Sequence, residues 1–158
     1  FIEQFASSGI ELPWYGPAFS FDEIILGAVG NSAIGVKNTS QWAYDLDNAA
    51  NQKFVKAFRA KYERTPTLYA SQGYDTANLI LSALKKAQPS DKSAFRSALK
   101  SADFESVRGS FKFGSNNHPI QNIYVREVVA VNGKKPTNKL VGVAISDLQD
   151  AFASQCSL

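Results

Sequence analysis

The sequence predicts an α/β fold, with a parallel central sheet flanked by helices and an antiparallel ribbon appended at its end. Three observations carry this. Segments with helical periodicity alternate with short apolar runs over the first two-thirds of the chain. After Phe104 the character changes, and β-branched residues gather on either side of an Asn-Gly pair. The 158 residues, 44% of them hydrophobic, are enough for one domain with its own core.

In chain order, FIEQFASSG reads as the end of an amphipathic helix with Gly9 as its C-cap. Leu12 to Tyr15 reads as a short buried strand with Trp14 in the core. Gly16-Pro17 is a turn signal that leaves Ala18 and Phe19 at the strand's C-terminal end. Ser20 is expected to cap a short helix, FDEIILGAVG, with Glu23 closing a capping box. Gly35 to Trp42 follows as a strand. Asp47 or Asn48 then caps a helix running to about Tyr62, with Phe54, Val55, Phe58 and Tyr62 as its apolar stripe.

The stretch from Pro66 to Ala87 organises the rest. Tyr69, Gly73, Ala77, Ile80 and Leu84, with their neighbours Leu79, Leu81 and Ala83, recur at helical spacing, which predicts a long helix with a broad buried face. Its first turn crowds Tyr69, Gln72, Tyr74 and Asp75 where backbone N–H groups lie free. Two readings follow: a helix facing a ligand cleft at its N-terminus, or a core helix with ordinary caps. Ser90-Asp91 starts a further helix with Phe95, Ala98 and Leu99 inward. The closing strands are Gly109 to Phe113, Ile123 to Val131 and, after a turn at Asn132-Gly133, Leu140 to Ile145.

Composition narrows the function. The net charge of +3 is spread along the chain, which disfavours nucleic acid, and no run approaches the length of a membrane span. No nucleotide fingerprint, GxSxG elbow or metal-ligand cluster is present. His118 is the only histidine, in a turn-rich loop, and reads as structural; Asp22, Glu23, Asp45 and Asp47 fall at helix starts, where capping accounts for them. Enzymatic chemistry has no constellation, and neither a cofactor nor a metal is implied. Binding has more. Trp14, Tyr15, Phe19, Trp42, Tyr69 and Tyr74 fall at strand ends or helix starts, the edge of an open α/β sheet where ligands bind, although part of this set would be core.

Beside the piece YGPAFSFDE, four linked motifs then point to a family: DLDNxAN, at Asp45 to Asn51; YxxQGYD, at Tyr69 to Asp75; VRGxFxF, at Val107 to Phe113; and a C-terminal ribbon. In this order the chain resembles the C-terminal half of a type I periplasmic solute-binding protein. It is most similar to the branched-chain amino-acid binders of ABC transporters, in the branch that takes aromatic acids. The resemblance implies a Rossmann-like lobe, residues 1–158, with 109–158 carrying the ribbon that returns across a hinge. It also implies a first lobe and a signal peptide outside this chain, a periplasmic location, a permease partner and no enzymatic activity. A chain that opens inside a helix and contains no Met is expected to be a piece of a longer protein.

The site residues implied are Ala18 and Phe19, where amino-acid binders offer a carboxylate to the ligand's ammonium, and Tyr69, the matching cleft aromatic. Gln72 and Asp75 follow as polar contacts. Without that carboxylate, the expected ligand is an apolar or aromatic acid stacked on Phe19, its own carboxylate held mainly by the first lobe. The alternative is a receptor or regulator sensing a ligand with the same fold. Cys156 has no partner within the chain; a disulfide with the other lobe and a free thiol both stay open.

Overall fold

A computed structural model of the chain describes residues 1–132 and 134–156. Helix α1 (Ile2–Ser7) ends at Ser8 and Gly9, the latter at φ +73°. Strand β1 (Tyr15–Pro17) comes next, then a 3-10 turn over Ala18–Phe21. Helix α2 (Glu23–Val29), strand β2 (Lys37–Ser40) and helices α3 (Ala49–Tyr62), α4 (Leu68–Leu84) and α5 (Lys92–Lys100) follow. Strands β3 (Phe111–Phe113), β4 (Pro119–Val131) and β5 (Lys134–Leu148) close the chain. Gly133, read as part of the hairpin turn, lies outside the described residues.

The α/β class holds, with helices packed about a mixed sheet. Parallel pairing joins β1 to β2, while β4 pairs antiparallel with β2, β3 and β5. Strand β4 is the spine: β5 runs along one edge, and β2 and β3 share the other. Its length lets it do so, because 13 residues span about 43 Å at strand rise.

Two apolar cores form. One gathers Trp42, Leu46, Phe54, Val55, Val107 and Tyr124; the other Phe21, Leu26, Ala33, Val36 and Val128, with Trp14 half-buried against it. Strand β4 contributes Tyr124 to the first and Val128 to the second, with buried Arg126 between them on the same face. The two cores flank a polar layer.

Several local expectations shift. Gly16-Pro17 lies inside β1, not in a turn, and Leu12 is exposed. A Cβ on Gly16 would run into the Phe21 ring, so this glycine serves close packing. The cap of α2 is Asp22, which accepts from the Ile24 N–H at 3.3 Å, rather than Ser20; Glu23 turns away to Asn138. Of the two candidates for α3, Asn48 caps it, accepting from the Asn51 N–H at 2.8 Å. Asn51, fully buried, receives the Trp42 indole N–H at 2.7 Å and donates to the Tyr44 and Leu46 carbonyls. The DLDNxAN motif is thereby a cap plus a staple for the loop before α3.

The largest correction concerns α4. Most of the stripe expected to be buried faces outward, with Tyr69 58% and Ile80 43% exposed, while its member Ala83 is buried. Leu68, Ser71, Asp75, Ser82 and Ala83 are the buried residues. Period alone reveals an apolar face; which face finds a partner depends on neighbours the local sequence does not specify.

Candidate functional site

Where β1 ends, the 3-10 turn carries Ala18 inside and Phe19 outside, 5% and 60% exposed respectively. The turn is held at both ends. The Ala18 carbonyl accepts from the Arg126 guanidinium at 3.4 Å, and the Phe21 carbonyl from the Asn138 amide at 2.7 Å. Asp22, at its end, accepts the Leu68 backbone N–H at 3.0 Å. That bond satisfies a free donor of α4's first turn from outside the helix, beside the Thr67 cap, which accepts from the Ala70 N–H. The Phe19 turn is therefore fastened to the helix start from which Tyr69 projects.

Of the expected contacts, Phe19 and Tyr69 are exposed aromatics on fastened backbone, Ala18 contributes its carbonyl inward, and Gln72 is half-buried one turn along α4. Asp75 has another engagement. It is 2% exposed, accepts from the Ser106 hydroxyl at 2.6 Å and the Val107 N–H at 3.0 Å, and lies 3.3 Å from Arg108 Nε. These bonds tie YxxQGYD to VRGxFxF. Burial pushes the Asp75 carboxyl up and the Arg108 guanidinium down from their ordinary values, although each favours the other's charge.

The polar layer between the cores was missed in the sequence. Arg126, 1% exposed, donates through Nε to Asn38 Oδ1 at 2.9 Å, and Asn38 in turn donates to Asn138 Oδ1 at 2.8 Å. Glu23 accepts from Asn138 at 3.0 Å, while its second carboxyl oxygen, also buried, has no protein partner. Burial raises the Glu23 carboxyl and lowers the Arg126 guanidinium; the nearby Asp22 and Asp45 carboxylates counter the effect on Arg126. The available signal was period two in YVREV, which places Arg126 on the inward side with Tyr124 and Val128. A groove of about 1070 Å³ opens beside this layer, bordered by Glu23, Ile24, Tyr44, Arg59, Thr67 and Lys135.

Among the described residues, no cluster of three metal-ligating side chains occurs, and no helix is long and apolar enough to cross a membrane. His118 is exposed in the turn before β4, 3.7 Å from Asp150, and Cys156 is exposed.

Residues 1–135 match the family described as periplasmic binding protein, and the chain belongs to that family. Among its relatives, the Leu/Ile/Val-binding protein homolog 6 of Brucella abortus is 33% identical over 84% of this chain. A benzoate-bound solute-binding protein of an ABC transporter from R. palustris is 34% identical over the whole chain, with a TM-score of 0.86. A similar protein from Rhodopseudomonas palustris BisB5, in complex with 3,4-dihydroxybenzoic acid, is 27% identical over 93% of the chain, with a TM-score of 0.73. The chain spans 35% of the Brucella protein, 42% of the benzoate-bound one and 40% of the third. The two R. palustris proteins are solute-binding proteins of ABC transporters, and the Brucella relative is named for Leu/Ile/Val binding.

Proposed function

We propose that the protein carrying this chain is the periplasmic substrate-binding component of an ABC transporter, capturing a small aromatic acid by closure of two lobes and handing it to the permease. The reading rests on the exposed Phe19 and Tyr69, fastened to one another's backbone through Asp22 and Leu68. It is supported by the absence of a carboxylate at positions 18 and 19. A ligand ammonium brought in without an opposing charge would lose several kcal/mol of hydration. Phe19 and Tyr69 offer stacking surfaces, Gln72 a polar contact, and Asp75 orders the helix behind them. The two cores on either side of the Arg126 layer support a hinge there, with β2, β4 and β5 as the crossing strands. The outward stripe of α4, with Ile80, Leu81 and Leu84, supports a first lobe outside this chain packed on that face.

Calorimetric titration of the full-length protein with benzoate, 4-hydroxybenzoate, leucine and valine tests the reading. Benzoate-type acids bind tightly and leucine does not, and Phe19→Ala weakens benzoate about ten-fold or more without moving the melting temperature, since Phe19 lies mostly in water. Tight leucine binding would overturn the ligand class and mean that a carboxylate other than one at positions 18 and 19 meets the ammonium. Binding of neither would move the protein to a sensor or another ligand class.

A further inference from the structure

Phe19 itself makes no anchoring contact in the geometry above; its position depends on the backbone beneath it. That backbone is held at the Phe21 end by Asn138 and at the Ala18 end by a fully buried arginine. Arg126 reaches the Ala18 carbonyl at 3.4 Å, the Trp42 carbonyl at 3.5 Å and the Asn38 side chain at 2.9 Å. It thereby joins the turn after β1 to the exit of β2 from within β4. A guanidinium can do this because its five N–H groups diverge in one rigid plane, whereas an ammonium directs its donors from a single point. The cost of burying the cation is offset in part by three carboxylates in its surroundings, Glu23, Asp22 and Asp45. A valine at this inward position would continue the pattern of Val128 and fill space at lower cost. Arg126 therefore brings hydrogen bonds that an apolar residue could not, and they end on the aromatic-bearing turn.

We infer that Arg126 is the positioning residue of the ligand site, fixing the turn that presents Phe19 relative to Tyr69. It acts through the backbone and does not touch the ligand, and the inference rests on the aromatic-acid reading above. Its consequence is that affinity for a flat ligand depends on a residue deep in the hinge layer. Stacking needs a ring plane held within fractions of an ångström, and a loosened turn loses that before it loses its fold.

The test uses the full-length protein with Arg126→Lys, Phe19→Ala and the double variant. Lysine keeps the charge but cannot serve Asn38, Trp42 and Ala18 together. Benzoate affinity is expected to fall about ten-fold in Arg126→Lys, with little further loss when Phe19→Ala is added. In the ligand-free protein, backbone amides of residues 18–22 should exchange with solvent faster, while those of α3 keep wild-type protection. If Arg126→Lys costs the same affinity whether or not Phe19→Ala is also present, Arg126 is merely structural and the inference is overturned; unchanged exchange at residues 18–22 overturns it as well. If Arg126→Lys does not fold, Asn38→Ser loosens the same guanidinium while leaving it in place, and the same two comparisons decide. Should the wild-type protein bind no benzoate, the ligand reading fails by itself, and the exchange data still settle whether Arg126 holds the turn.

Discussion

Asp75 gives a sharp separation between a ligand contact and a structural clamp. Replacing it with asparagine preserves shape and the acceptor for the Val107 N–H, now at 3.0 Å, but removes the charge opposite Arg108 Nε at 3.3 Å. The new amide group also faces the Ser106 hydroxyl, whose oxygen already accepts from the Arg108 N–H at 3.1 Å. Breaking a buried pair by removing one partner costs about 3–5 kcal/mol. Burial already disfavours both charges here, raising the Asp75 carboxyl and lowering the Arg108 guanidinium, so removing one carboxylate also relieves a penalty. The expected loss is therefore about 2–3 kcal/mol, below that range. Urea denaturation of the full-length protein measures it as a lower midpoint with an unchanged slope. Where Asp75→Asn is still fully folded, its benzoate affinity should match wild type. Wild-type stability together with weakened binding would refute the clamp and return Asp75 to the ligand site.

Two further outcomes follow from the buried polar groups. Asn51→Ala strands the Trp42 indole N–H and the carbonyls of Tyr44 and Leu46, and should destabilise by about 2–4 kcal/mol with a shifted Trp42 fluorescence maximum. An unshifted maximum at wild-type stability would mean that water replaces the amide without loss. Glu23 has a folded-state pKa raised above its ordinary 4.5, by burial first and by Asp22, against the lowering effects of Asn138 and Arg126. Its contribution to stability is thus fullest below pH 4.5 and declines as the pH climbs through the raised value. Glu23→Gln should flatten that decline, so the variant gains on wild type between acid and neutral pH; parallel stability-pH curves would refute this.

The family motifs were legible as strings, but their physical work was only partly so. The caps could be read to within a residue, at Asp47 or Asn48 and at Ser90-Asp91, because a cap is closed within three residues of sequence; Asn48 and Asp91 are the ones that accept the N–H. Ser20 lost to Asp22 because two acceptors stood within one turn of the helix start. Asp22 also reaches the Leu68 N–H, 46 residues on, a bond no local rule weighs. Phe19 and Tyr69 came from the resemblance together with their places at a strand end and a helix start. The turn geometry then accounted for their exposure. Arg126 sat in plain view among β-branched residues, but an inward arginine has meaning only when its acceptors are known, and those lie on three other segments.

By itself the sequence determined the element types, most helix starts, the ribbon and the family, because these depend on period, capping chemistry and the order of motifs along one strand of chain. Only the tertiary structure decided which face of α4 turns inward, what Asp75 holds and how the Phe19 turn is fixed. Those outcomes rest on bonds between residues 31 apart at Asp75–Ser106, 108 at Arg126–Ala18 and 117 at Asn138–Phe21. A buried polar atom takes whichever partner the fold brings to it, and the cost of leaving it bare makes that partner decisive.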